Sequence, residues 1–292
     1  MKQPQYYQPS AEILQKYAHV LVNFALNSGQ GVKADEVVMC IVPDVAKPLA
    51  LALHNELLKA GAHPLLRLAA TGFEQHYYNL ANQKQLTFFP QQYLKSRTEL
   101  IDHQINIIAD PHPRALSAIE PKKIILARDS KKAYRDWLVA KETQGKFTWT
   151  TALWGVPAKA AEVGLELEAY WQQIIKACFL DLTNPVAKWQ EIFSLQQEIK
   201  DKLNKLRIKH LKIKGPDVDL TVKLGADRIW QGGSGRNIPS FELFTSPDWR
   251  GTQGWIRFNE PLYRYGNVIK DVFLEFQDGL VVKAKAKQGN RF

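Results

Sequence analysis

The residues whose types and spacing invite chemistry lie between Arg236 and Asp248, in the run Arg-Asn-Ile-Pro-Ser-Phe-Glu-Leu-Phe-Thr-Ser-Pro-Asp. This run places one carboxylate, Glu242, in an otherwise apolar and hydroxylic segment just after Gly232-Gly233-Ser234-Gly235. A carboxylate beside Phe241, Leu243 and Phe244 is costly to bury alone, so Glu242 needs a cation, a proton or a solvent channel. Pairing with an arginine such as Arg236 and service as a metal ligand or catalytic base stand level on this ground. The glycines themselves lack the following Lys-Ser/Thr of a phosphate loop and the spacing of a nucleophile elbow, which leaves them as a turn.

The other reactive side chains are scattered. His19, His54, His63, His76, His103, His112 and His210 form no tight i, i+4 pair, and no His-Glu-x-x-His metal helix occurs. Cys40 sits inside a β-branched, apolar run and Cys178 near a helix end without an evident base, so both are expected to be buried thiols. Two cysteines are too few for a disulfide framework, and a reducing cytoplasm is expected.

The 292 residues are about two domains' worth at roughly 150 residues per domain. A composition 45% hydrophobic and 23% charged excludes collagen-like and disordered classes. No run approaches the length of a membrane-spanning helix, and the N-terminal Met1–Ser10 stretch is polar, without the apolar core of a signal peptide. A formal charge of +10 raises a nucleic-acid hypothesis. The densest cations, Lys200, Lys202, Lys205, Arg207, Lys209, Lys212 and Lys214, straddle a helix end and an alternating strand without interleaved aromatic rings. That pattern suits a solvated face better than a nucleic-acid groove.

The elements that must position Glu242 follow from periodicity. Ser10 caps a helix with Leu14, Tyr17, Leu21 and Phe24 on one face. Val37–Val42 reads as a buried strand, Lys47–Ala60 as a helix stopped by Gly61, and Pro64–Ala69 as a second strand, together a right-handed parallel βαβ unit. Further strands are expected at Ile105–Ala109 and Phe147–Leu153, with helices from Pro121 and over Pro157–Val163, Leu165–Leu180 and Pro185–Leu206. Beyond Leu206 glycines become dense and the apolar period changes to two, as in Leu211/Ile213 and Leu220/Val222/Leu224, with Asp278-Gly279 as a hairpin turn. The expected fold is therefore α/β: a parallel-sheet N-terminal α/β domain over residues 1–205, then a strand-rich, incomplete α+β domain over 206–292.

Asn237-Ile238-Pro239-Ser240-Phe241-Glu242-Leu243-Phe244-Thr245 resembles the Asn-x-Pro-x-x-Glu-Val-Phe/Tyr-Thr motif of the aminopeptidase T-type metallopeptidases, the thermophilic aminopeptidase family. Asp219-Leu220-Thr221-Val222, Asn184-Pro185-Val186-Ala187-Lys188-Trp189 with Ala177-Cys178, Tyr17-Ala18 with Asn23 and Ala25, and Lys59-Ala60-Gly61-Ala62-His63-Pro64 agree in order and spacing. The resemblance implies an N-terminal α/β domain, a C-terminal domain with two divalent metal ions (zinc, cobalt or magnesium), and dimerisation closing a catalytic chamber. It implies that the metals activate a water that attacks the N-terminal peptide bond of a peptide substrate. Glu242 falls on the first metal-ligating Glu.

The other ligands implied, a second Glu, two His and an Asp, belong to segments after the last hairpin, which here is Asp278–Ala286. No His follows His210, so the chain is expected to lack most of the metal ligands and to show weak or no activity alone, with no catalytic residue assigned. Two departures accompany this: Gly155-Val156-Pro157-Ala158 stands where the family has Tyr-Pro-Thr, and Phe241 replaces a small residue. The expectation is a metal-dependent aminopeptidase acting on peptides, a cytoplasmic homodimer without membrane contact. A non-catalytic remnant serving binding or dimerisation is the alternative, and a basic nucleic-acid binder the weakest.

Overall fold

The computed structural model describes residues 7–289. Met1–Tyr6 and the end at residues 290–292 lie outside them, and with them part of the polar N-terminal stretch and the Phe292 terminus. In chain order the elements are α1 (Ala11–Asn23), β1 (Val37–Pro43), α2 (Lys47–Lys59), β2 (His63–Ala69), α3 (Phe73–Leu80), α4 (Gln83–Leu86) and α5 (Gln91–Leu100). Then come β3 (His103–Ile108), α6 (Pro121–Asp129), α7 (Lys132–Thr143), β4 (Thr148–Leu153), α8 (Pro157–Glu162), α9 (Leu167–Ala177) and α10 (Pro185–Lys205). The strand-rich remainder holds β5 (His210–Gly215), β6 (Val218–Lys223), β7 (Gln231–Gly232), β8 (Asn237–Ile238), β9 (Leu243–Phe244), β10 (Gln253–Phe258), β11 (Leu262–Arg264), β12 (Asn267–Ile269), β13 (Val272–Gln277) and β14 (Leu280–Lys285).

The chain divides into two compact units, Met1–Phe193 with Ser234–Ser240, and Ser194–Gly233 with Phe241–Phe292. This is not the single boundary at 205/206 that glycine density suggests. The division falls inside α10, and a short segment returns to the first unit because β8 pairs in parallel with β4, Thr151 opposite Asn237 and Ala152 opposite Ile238. A strand of two residues is too short to leave a periodic signature.

The first unit is α/β. Its five-stranded sheet runs β2-β1-β3-β4-β8, every pair parallel. Val38, Cys40 and Val42 point to one face, into a core shared with Tyr17 and Leu21 of α1, Leu49 and Leu53 of α2, and Trp171 of α9. Met39 points to the other, where Ile101 and Phe147 enclose it. The continuous apolar run of β1 is thus explained by burial on both sides. The Ser10 cap forms, with its hydroxyl accepting from the Ile13 amide at 3.3 Å, and Asn184 accepts from the Ala187 amide at 3.0 Å. Two features differ from the periodicity. The helix from Pro121 is broken into α6 and α7, and α3 to α5 occupy a stretch without a clean apolar stripe, α3 having no buried residue.

At the amino ends of the strands a partly buried network links the residue before β1 with β3 and β4. His103, 3% exposed, binds Glu36 Oε2 through Nε2 at 2.9 Å and Thr148 Oγ1 through Nδ1 at 2.8 Å. Thr148 Oγ1 in turn accepts from the Asn27 amide, so a ring that donates from Nε2 completes the chain by accepting the Thr148 proton. Burial pushes the Glu36 carboxyl up, but hydrogen bonds donated by the Lys33 amide, His103 and Asn27 outweigh it and hold the group below its ordinary value. A depressed carboxyl contributes stability above its unfolded pKa and loses it as pH falls through the folded one. His103→Ala is therefore expected to shift the acid-unfolding limb to higher pH, measured as the urea midpoint across the carboxylate titration range; an unmoved limb would show that the pair contributes nothing.

The second unit is built on an antiparallel sheet, β14-β13-β10-β6-β5. Cross-strand pairing sorts its residues cleanly. One face carries Lys214, Asp219, Trp255, Glu275 and Lys283 in a single row, while the other carries Ile213, Leu220 and Phe276 and, beside them, Val218, Ile256, Leu274 and Ala284. None of these apolar residues is buried, and Ile213 remains 44% exposed. Gly254 sits in the apolar row at φ +105, where a Cβ would lie 2.1 Å from the Asp219 carbonyl oxygen. The expected Asp278-Gly279 turn forms with φ of 50 and 77, the positive pair that a tight hairpin requires.

Candidate functional site

Glu242 lies in the second unit, on an exposed residue immediately before β9. Its backbone is placed by β7 pairing with β9, Gly232 opposite Leu243. Gly232 has φ +127, and a Cβ there would stand 2.3 Å from the Glu242 carbonyl oxygen. The glycine run is therefore more than a turn: Gly232 is a strand residue that only glycine can occupy beside Glu242. The buried Gln196 of α10 donates to that same carbonyl oxygen at 3.5 Å, and Lys200 Nζ donates to the Gly232 oxygen at 3.4 Å. Phe241, in place of a small residue, is 54% exposed.

Arg236, the cation that sequence offered to Glu242, is taken elsewhere. Its Nε and Nη2 donate to Glu142 Oε1 at 2.9 and 2.7 Å, with the guanidinium 6.0 Å from the Trp149 ring centroid. Glu142 lies near the end of α7, a partner that sequence separation concealed. Gly155-Val156-Pro157-Ala158 runs from β4 into α8, with Pro157 in the first helical turn.

The two thiols are inert. Burial pushes Cys40 and Cys178 up to about 12 each, and both are free and enclosed. Lys212 and Lys214 alternate with apolar partners on β5 and are exposed, as a solvated face requires. No helix of the described residues is long and apolar enough to cross a membrane.

A two-metal centre asks for several convergent carboxylates and imidazoles. Among the described residues no group of three or more His, Cys, Asp and Glu side chains is placed to hold a metal ion. Glu242 offers one carboxylate, so the described residues do not by themselves fit such a centre.

Residues 10–292 match the family model described as thermophilic metalloprotease (M29). The chain is 26% identical over 298 residues to Aminopeptidase 2 of Geobacillus stearothermophilus, spanning 94% of this chain and 70% of that protein. It is 32% identical over 193 residues to Aminopeptidase T of Thermus aquaticus, spanning 61% of this chain and 47% of that protein. The fold is similar to that of wild-type AmpT from Thermus thermophilus, with a TM-score of 0.81 at 23% identity over 96% of this chain and 72% of that one.

Proposed function

The chain belongs to the thermophilic metalloprotease family (M29), and from that premise we propose that Glu242 supplies one metal ligand to an aminopeptidase centre whose remaining ligands lie outside the described residues. The class of chemistry is that of a metal-dependent aminopeptidase, and the substrate is a peptide with a free N-terminus. The observation that carries the assignment of Glu242 is the built position of its backbone. A glycine at φ +127, the β7–β9 pairing and the buried Gln196 all fix a residue whose own side chain is exposed.

Two further observations support a centre completed by other polypeptide. No metal-holding group occurs among the described residues, and the apolar face of the antiparallel sheet is not buried although a sheet face of that composition calls for a second layer. Which divalent ion serves, zinc, cobalt or magnesium, is part of the proposal, as are a cytoplasmic location, in keeping with two free buried thiols, and a homodimer, which rests on the family resemblance. Of the rival readings, a binding or dimerisation protein without catalysis predicts no metal dependence of any property, and nucleic-acid binding predicts affinity falling steeply with salt.

The test is hydrolysis of an amino-acid p-nitroanilide by the 292-residue polypeptide with added cobalt or zinc. Turnover is expected at the buffer background, because one carboxylate cannot hold two metals in place. Robust metal-dependent turnover from this polypeptide would overturn the ligand deficit, and if it also survived Glu242→Ala, it would remove Glu242 from the centre.

A further inference from the structure

The first unit carries a cavity that the peptidase reading does not use. Its volume is about 660 Å³, within the usual range for small-molecule sites. It is built by the segments that leave three parallel strands at their carboxyl ends: the turn after β2 with the start of α3, the loop after β3, and α8 after β4. In open parallel sheets this is the side on which ligands bind, where connections from neighbouring strands diverge to leave a crevice. Here the divergence is real, since β1 connects to β2 on one side and has β3 on the other. The turn after β2 is tied to the end of β1 by Asp44, whose Oδ1 accepts from the Thr71 amide at 3.3 Å and hydroxyl at 2.8 Å.

The groups that meet in the cavity differ in sign. Arg114 and His112 come from the loop after β3, and no side-chain hydrogen bond or ion pair engages either among the described residues. Across from them in sequence, Glu162 comes from the end of α8. Its Oε2 accepts from Lys159 at 2.5 Å, and its Oε1 makes no hydrogen bond among the described residues. Glu162 is only 18% exposed along its side chain, so the Lys159 pair holds the carboxylate in one orientation. Between these charges the wall is apolar, made by Ala115, Ala158 and Ala161. Gly72 lines the mouth at φ +85, a left-handed conformation that glycine adopts without strain.

A cation without a carboxylate, a carboxylate with one open oxygen and an apolar wall of small residues describe one class of ligand. We propose that this cavity is a binding site for a free α-amino acid with an apolar side chain. The Arg114 guanidinium, with His112 beside it, takes the α-carboxylate, Glu162 Oε1 takes the ammonium, and the alanines receive the side chain. Arg114 and His112 are both exposed, so either cation alone would contribute little, and recognition rests on meeting both ligand charges together with the apolar wall. The site needs no metal and no residue of the second unit, so it stands or falls independently of the role of Glu242.

The test is calorimetric titration of the 292-residue chain, without metal, with leucine, N-acetylleucine, leucinamide and inorganic phosphate. Leucine is expected to bind at one site, and removal of either charge, in N-acetylleucine or leucinamide, to weaken binding about tenfold or more, the scale of one lost charge-assisted contact. Arg114→Gln should weaken leucine about as much, Ala158→Leu should fill the wall and abolish it, and Arg228→Gln in the second unit should change nothing. Circular dichroism checks that each variant is folded, and the ligand analogues test the site without any substitution. Absence of leucine binding, equal binding of the neutral-ended analogues, or phosphate binding more tightly than leucine would each overturn the proposal.

Discussion

Trp171→Ala is expected to lower the unfolding free energy of the first unit by about 3–5 kcal/mol, the cost of emptying a large aromatic site in a packed core. Trp171 is fully buried on α9, with Ile174 and Ile175 in the next turn. Its ring meets Trp154 edge to face at a centroid distance of 4.9 Å and an interplanar angle of 82°. It also lies against the backbone after β4: a Cβ on Gly155 would stand 2.9 Å from the indole Nε1. The cavity left by alanine would thus be walled by a second tryptophan and by main chain, neither of which can collapse into it. Trp171→Phe should lose less. Trp249, 59% exposed, is the control, and its alanine variant should stay within about 0.5 kcal/mol. Urea unfolding followed by circular dichroism measures all three, and a Trp171→Ala cost no greater than the control would show that this core repacks freely.

Gly235→Ala is the second large effect, at about 2–5 kcal/mol when left-handed backbone strain and overpacking are combined. Gly235 has φ +74, and its Cβ would stand 2.2 Å from the carbonyl oxygen of Ala25, a residue only 1% exposed. The obstacle is buried main chain, which cannot move aside as a side chain can. Gly235 also starts the return of the chain to the parallel sheet. Its carbonyl oxygen accepts from Thr150 Oγ1 at 2.8 Å, and the next carbonyl, of Arg236, accepts from the Thr151 amide at 2.8 Å. Besides the lowered melting temperature, the Thr151 amide should therefore lose hydrogen-exchange protection. Gly225→Ala is the comparison: it needs no left-handed conformation and meets only the flexible Arg228 side chain at 3.1 Å, so it should cost under about 1 kcal/mol. Equal effects at the two glycines would remove the close-approach argument.

Much of the fold is legible in the chain. The β1-α2-β2 unit is written in a continuous apolar run, a glycine stop and a second apolar run, because a strand buried on both faces cannot afford polar positions. The antiparallel sheet is written in alternation, and the cross-strand rows confirm it residue by residue, Leu211 with Val222 and Ile213 with Leu220. What periodicity does not show is α3 to α5, whose faces are too little buried to demand an apolar stripe, and β8, which is too short to have a period.

The site divides in the same way. Glu242 stands out in sequence as a lone carboxylate among apolar neighbours, and the motif around it carries the family resemblance. Sequence left Arg236 as its possible cation, and only the fold assigns Arg236 to Glu142, 94 residues away in the chain. Likewise His103 reads as an isolated histidine until β1 and β3 align and bring it to Glu36. His112, Arg114 and Glu162 carry no local signature at all, since their relation comes from loops that converge only when the parallel strands are ordered.

By itself, then, the sequence determined much of the local geometry: most of the longer helices and strands, the stops and turns at Gly61 and Asp278-Gly279, and which carboxylate stands in a chemically unusual context. Local sterics, capping and hydrophobic period act over a few residues and are readable there. The tertiary structure decided the partnerships, including the return of Ser234–Ser240 to the first unit, the Arg236–Glu142 pair and the charges that meet at the strand ends. These depend on which distant segments the burial of apolar faces brings side by side, and that is a property of the whole packed chain.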